Sequence, residues 1–308
     1  MGRPRRSARR HPVNLLPLEH QPGHHHSRTR RHDASLDLRD TLVFALALMV
    51  GLATAGCGRE RFAEDLDRIL QKENLSTVGV IGAFHGPAMS YSRSASDYLT
   101  SYLAHMGEAR YTVVRTDSAK ARRLADLVMA RPEDYLDPAH IAKMGRALRL
   151  KAAVLATSTD STSEELAVKV VNSDTDELYL AGTLSLGDER YGVSGGSNVV
   201  DQNIFQTEEL DFKKFYIGHM ELGDGTTVPI TLDITAVEPL VAEETSVTCT
   251  LNSSDSRQDF AGQINRGDNI IRLPILGTGI VYVNSDWKVV FESTRDHPYW
   301  VLTEEGTQ

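Results

Sequence analysis

Two rhythms of apolar residues run along this chain. The first is helical. Phe62, Leu66, Ile69 and Leu70 share one face of "RFAEDLDRILQKENL", and Ala95, Tyr98, Leu99, Tyr102, Leu103 and Met106 share a stripe of "SRSASDYLTSYLAHM". That spacing predicts amphipathic helices, the second capped by Ser94 with Asp97 three residues on. Leu124, Leu127 and Val128 predict a third helix that stops at Arg131-Pro132, because proline cannot continue the hydrogen-bond ladder. Asp137-Pro138 followed by Ile141, Met144 and Leu148 predicts a fourth, with Asp137 as cap and Pro138 in the first helical position. Between the helices, "STVGVIGAF", "RYTVVRTD" and "KAAVLATST" are apolar runs of strand length, and "ELAVKVVNSDTDELYLAGTLSL" reads as two strands around the turn Asn172–Glu177. The order α-β-α-β-α-α-β-β-β predicts an α/β layered domain over residues 57–190.

The helical rhythm then disappears. Residues 191–204 fall in a stretch rich in Gly, Ser and Asn, the composition of a linker. Beyond it, "TTVPITLDITAV", "TSVTCTLNSS", "NIIRLPIL", "GIVYVNS", "DWKVVFES" and "YWVLTEE" are β-branched and aromatic runs bounded by Gly, Asn, Asp and Pro. Strands this short and evenly spaced predict an antiparallel β-sandwich-like domain over 205–308, and an α+β chain overall. Trp287 and Trp300 are expected to serve core or rim packing rather than to act as ligand platforms.

A different segment precedes all of this. Thr41 to Gly56 carries no charge and ends in Ala53-Thr54-Ala55-Gly56-Cys57. It is shorter than the roughly 20 residues a spanning helix needs, and suits the apolar core of a secretory signal. Small residues before a cysteine resemble the bacterial lipoprotein signal, which implies that Cys57 is acylated and becomes the mature N-terminus, with residues 1–56 as leader and signal peptide. Thr54 stands where that pattern usually has Leu, although Leu52 lies close by. Acyl chains anchor by burying methylenes, each contributing roughly 0.8 kcal/mol. Gly58 is not the aspartate that commonly retains lipoproteins at an inner membrane, so the resemblance implies an outer membrane, facing the periplasm.

Residues 1–40 hold nine Arg, six His and four acids, a leader longer than a signal needs and best read as a start codon called too early. Arg30-Arg31 lacks the apolar residues that follow a twin-arginine pair, and His24-His25-His26 in a discarded leader carries no metal reading. Taking those nine Arg and four acids from the 33 basic and 42 acidic residues of the chain leaves a net charge near −14. Nucleic-acid binding needs clustered cations, so an acidic body argues against it. Cys249 is the only other cysteine and is expected to be a buried, inert thiol on a strand.

"VGVIGAF", the Ser-initiated helix, "YTVVRTD", "DPAHIAKMGRALRLKAAVLATS" and the strand pair around "VNSDTDELYLAG" resemble a group of envelope lipoprotein domains: the curli-secretion lipoprotein, the FlgO type, the TolB N-terminal domain and the lipoprotein activators of penicillin-binding proteins. Gly145, Leu148 and Ala152–Ala156 take the group's places, Arg115 matches the arginine that ends its second strand, and Asp176 replaces the usual turn glycine. The resemblance covers Leu75 to Leu186 and implies scaffolds, activators or secretion components. Nothing in that span has spare length for the two extra hairpins a pore would need.

Candidate chemistry is sparse. Gly192-Val193-Ser194-Gly195-Gly196 matches G-x-S-x-G, but no amphipathic helix follows Ser194, and the elbow needs a strand-to-helix turn. His85, His105, His140, His219 and His297 show no metal-pair spacing. Asp174-Thr175-Asp176 lacks the glycine and distal glutamate of a calcium loop, and the glycines from Gly79 to Gly86 do not form G-x-G-x-x-G. No catalytic residue, metal or cofactor is therefore expected. The expected role is a non-catalytic, membrane-anchored docking or assembly scaffold whose partners are envelope proteins. The alternatives are a small-molecule receptor with an interdomain site, marked by a deep apolar cleft with convergent polar groups, and a periplasmic hydrolase, marked by Ser194 within reach of a histidine.

Overall fold

The computed structural model describes residues 58–106, 110–158, 165–186, 198–202, 210–240, 243–254, 256–296 and 298–305. Cys57, Ser194 and His297 lie outside them. Helices and antiparallel strands are both extensive, so the class is mixed α+β.

The first half is built on one sheet. Helix α1 (Gly58–Lys72) turns through Asn74 into β1 (Thr77–His85), then come β2 (Ser90–Tyr91), α2 (Arg93–Met106), β3 (Thr112–Arg115), α3 (Ser118–Val128), a 3-10 turn, α4 (Pro138–Ala147), β4 (Ala152–Ser158), β5 (Glu165–Asn172), β6 (Leu178–Ser185) and β7 (Val199–Asp201). The strand order is β6-β5-β4-β1-β3-β7. β1 runs parallel to β3 and β4, and β3 parallel to β7, while β5 and β6 return antiparallel. Strands buried on both faces read as unbroken apolar runs, which is why β1 and β4 show no alternation. Phe62, Leu66 and Leu70 of α1 and Leu99 and Leu103 of α2 cover one face, with Val78, Val80, Val154 and Val168. Leu124 and Val128 of α3 and Ile141 and Met144 of α4 cover the other, with Ile81, Phe84, Val114 and Leu155.

The caps follow local chemistry. Asp137 accepts the Ala139 N–H at 3.0 Å with Pro138 in the first turn, as the sequence predicts. α2 is capped by Ser92, not the expected Ser94: the Ser92 carbonyl accepts the Ser96 N–H at 3.0 Å, and its hydroxyl faces the Ala95 N–H at 3.4 Å. Gly82 sits at φ +150°, where a Cβ would strike the Tyr91 ring.

The second half is β8 (Phe215–Glu221), β9 (Thr227–Pro239), β10 (Glu244–Ser253), β11 (Arg257–Asn265), β12 (Ile270–Leu273), β13 (Gly277–Val283), β14 (Val289–Ser293) and β15 (Tyr299–Glu304). The expected sandwich is corrected here to a closed eight-stranded barrel, ordered β10-β11-β12-β13-β14-β15-β8-β9. Two strands absent from the sequence reading, β8 and β11, complete the ring; closure, not stacking of two sheets, removes the edges. The interior is packed with side chains, including Leu232, Cys249, Phe291 and Trp300, whose indole N–H donates to the Leu276 carbonyl at 2.7 Å.

The two halves share a core. Ile271 and Val281 point into the barrel, while their neighbours Ile270 and Ile280 join the α3–α4 cluster. The Asn269 amide donates to the Ala147 carbonyl at 2.6 Å, and Arg123 grips Asp268 through two bonds of 2.9 and 2.6 Å.

Candidate functional site

Among the described residues, those that the sequence singles out do not converge. His85 ends β1, His105 lies in the last turn of α2, His140 sits on α4 and His219 on β8. Among the described residues there is no group of three His, Cys, Asp or Glu placed to hold a metal ion. His140 Nδ1 lies 3.0 Å from Asp137 Oδ2, so it belongs to the helix cap. Burial lowers the His85 pKa and pushes the Cys249 thiol up to about 12, which suppresses the thiolate that thiol chemistry requires. Asp174–Asp176 form the β5–β6 turn: the Asn172 side chain accepts the Asp174 N–H at 2.8 Å, and Asp176 takes φ +61°. Asp is among the few side chains that tolerate that left-handed region.

Asp176 also joins a charge cluster between α4 and the barrel. Its carboxylate receives Arg146 Nη1 at 2.6 Å, and the same nitrogen donates to the Ser173 carbonyl at 2.7 Å. The other edge of the Arg146 guanidinium meets Glu292 of β14 in a fork of 3.1 and 3.2 Å. Lys143 stands 3.8 Å from Glu292, and the Tyr299 hydroxyl 3.4 Å. Glu292 is 3% exposed. Burial first, and then this carboxylate, push the Tyr282 and Tyr299 phenols up. Forked Arg–carboxylate pairs fix orientation as well as adding energy, so this cluster sets how α4 meets the barrel.

Two hollows open at opposite ends of the sheet, and Arg146 lines one of them. One, of about 320 Å³, opens at the carboxyl ends of β1 and β3, lined among others by Gly82, Ser96, Arg115, Thr116 and Asp201. Helices leave β1 and β3 towards opposite faces there, the switch point at which open α/β sheets commonly bind ligands. Arg115 and Asp201 pair across it at 2.8 Å. Thr116 Oγ1 is buried with no hydrogen-bond partner among the described residues.

The other hollow, of about 450 Å³, lies at the opposite end of the sheet, between the C-terminal end of α4 and the β13–β14 turn. Arg149, Lys151, Asp174, Gln202, Tyr282 and Trp287 line it. Asn284 ties the turn together: its Oδ1 accepts the N–H groups of Asp286 and Lys288 at 3.1 and 3.0 Å, and the Trp287 N–H donates to the Asn284 carbonyl at 3.1 Å. Trp287 occupies φ +62° and is 82% exposed. The packing role expected for Trp287 is therefore corrected, while Trp300 is fully buried. No sequence signal separated them, because the turn that ejects Trp287 depends on Asn284 three residues earlier.

No helix among the described residues is long and apolar enough to cross a membrane. No protein-family model matches the chain, and no curated protein sequence matches it. Among solved structures, the C-terminal domain of LpoB from Salmonella enterica is a weak neighbour, with a TM-score of 0.29 and 15% sequence identity over 41% of this chain and 96% of that one.

Proposed function

We propose that this protein is a non-catalytic, lipid-anchored envelope scaffold, held by acyl chains on Cys57 at the periplasmic face of the outer membrane. The observation that carries the reading is the start of α1 at Gly58, one residue beyond Cys57. α1 ends at Lys72 and β1 begins at Thr77 after a tight turn, so α1 runs antiparallel to β1 and its first residue lies at the carboxyl end of the parallel strands. With so little tether, an acylated Cys57 would hold that end of the α/β layered fold against the lipid. The barrel and the Trp287 hollow would face partners. β6 has one neighbouring strand among the described residues, and an unpaired strand edge can accept a partner strand.

Replacing Cys57 by Ala tests this. The variant should fractionate as soluble or unprocessed protein and should lose labelling by a palmitate analogue. Labelling that persists in Cys57→Ala would remove the anchor and the scaffold reading with it.

A further inference from the structure

We infer that the hollow at the carboxyl ends of β1 and β3 binds the headgroup of phosphatidylethanolamine, with Asp97 receiving its ammonium and Arg93 its phosphodiester. The chemistry of the site stands on the hollow itself, while the source of the ligand, a membrane, rests on the anchored reading above.

Size and polarity come first. The volume of about 320 Å³ lies at the small end of ligand pockets, which run from about 300 to 1,000 Å³. Apart from Val80, Ile81 and Gly82, every residue of the wall carries a polar side chain, so an apolar ligand gains little there. The floor depends on Gly82. It takes φ +150°, and a Cβ on it would come within 2.5 Å of the Tyr91 ring. With no side chain at that position, Tyr91 lies over β1, edge-on to Phe84 with ring centroids 5.5 Å apart, and the space above stays open.

The charges around that floor choose the two ends of the ligand. Arg115 and Asp201 are committed to each other at 2.8 Å. Asp117 Oδ1 accepts the N–H groups of Ala119 and Lys120, both at 2.9 Å, as the cap of α3. Arg93 and Asp97 remain, one of each sign, and neither side chain makes an ion pair or hydrogen bond with another described residue. Arg93 is exposed and Asp97 half-buried, so both are within reach of a ligand. They stand one turn apart on α2, a rise of about 6 Å, close to the span of an ammonium and a phosphate joined by two methylenes. A primary ammonium donates up to three hydrogen bonds, whereas the trimethylammonium of choline donates none, so Asp97 separates the two headgroups. A guanidinium suits a phosphate through paired N–H donors. Two arginines against three aspartates in the wall disfavour a doubly charged anion and admit a net-neutral zwitterion. The hollow also opens at the end of the sheet where α1 begins, the end that acyl chains on Cys57 would set against headgroups.

Calorimetry on the full chain in detergent tests the chemistry, with glycerophosphoethanolamine, glycerophosphocholine, ethanolamine and the free amino acid β-alanine as probes. Glycerophosphoethanolamine should bind most tightly, about tenfold ahead of glycerophosphocholine. Asp97→Asn should erase that preference, and Arg93→Gln should bring glycerophosphoethanolamine down to the level of ethanolamine, both with the urea midpoint in place. Hydrogen exchange on the acylated chain tests the source: residues 92–97 and 115–118 should exchange more slowly on nanodiscs containing phosphatidylethanolamine than on nanodiscs of phosphatidylcholine alone. No heat from glycerophosphoethanolamine, equal or tighter binding of any other probe, or unchanged preference in Asp97→Asn would overturn the headgroup site, while labelling lost in Cys57→Ala would keep the anchor standing. Calorimetric binding without slower exchange on the nanodiscs would overturn the membrane as the source.

Discussion

Glu292→Gln is the sharpest test of how the two halves are joined. The carboxylate is 3% exposed and faces Arg146 at 3.1 and 3.2 Å and Lys143 at 3.8 Å. The amide keeps the shape and removes the charge, leaving Arg146 and Lys143 side by side without the buried carboxylate that faces both. Breaking a buried pair by removing one partner costs about 3–5 kcal/mol. Arg146 retains Asp176 at 2.6 Å and the Ser173 carbonyl at 2.7 Å, and the amide still accepts one bond, so the expected loss is lower, about 2–3 kcal/mol. For a fold of this size that corresponds to roughly 5–10 °C in melting temperature. Urea titration followed by circular dichroism reads it. The double variant Arg146→Met/Glu292→Leu should recover most of the loss, because an apolar pair of similar volume avoids desolvating two charges. A change below about 0.5 kcal/mol in Glu292→Gln would refute the reasoning, as would a double variant worse than the sum of its parts.

Three further outcomes are expected. Burial holds the Lys120 ammonium down at about 8 against an ordinary 10.5; the unfolded chain then binds more protons between those values, and stability rises with pH across that window. Lys120→Met should therefore be more stable than the parent near pH 7, by about 1–3 kcal/mol, and the gap in urea midpoint should close towards pH 10. Asp137→Ala removes the α4 cap and should cost about 1 kcal/mol, seen in the same titration; no loss would show that Pro138 alone starts the helix. Cys249→Ser places a hydroxyl among barrel side chains and should cost about 1–3 kcal/mol, whereas a raised midpoint would mean that the hydroxyl finds a partner there.

Elements with one apolar face were legible in the sequence. The stripes of Phe62–Leu70 and Ala95–Met106 and the Asp137-Pro138 start all became helices, because helical period and capping are local properties. β11 was not legible. Its residues Arg257 to Phe260 are exposed or half-exposed, so no alternation announces a strand, and β8 carries Phe215 and Ile217 outward. Without those two strands six remain, and six scattered strands suggest a sandwich. Pairing across sequence was equally hidden: Arg146 and Glu292 stand 146 residues apart. "IIRL" showed no alternation because Ile270 and Ile271 serve different cores. The αL position of Trp287 needs the Asn284 turn, which composition alone does not reveal.

The helix α4 belongs to both halves at once, with Ile270 and Ile280 of the barrel wall inserted among its neighbours. Severing the chain within residues 203–209 would therefore bare a greasy scar on each product. The pieces are expected to clump when made separately and to reunite when made together. Melting should accordingly proceed as a single event, however divided the chain looks on paper.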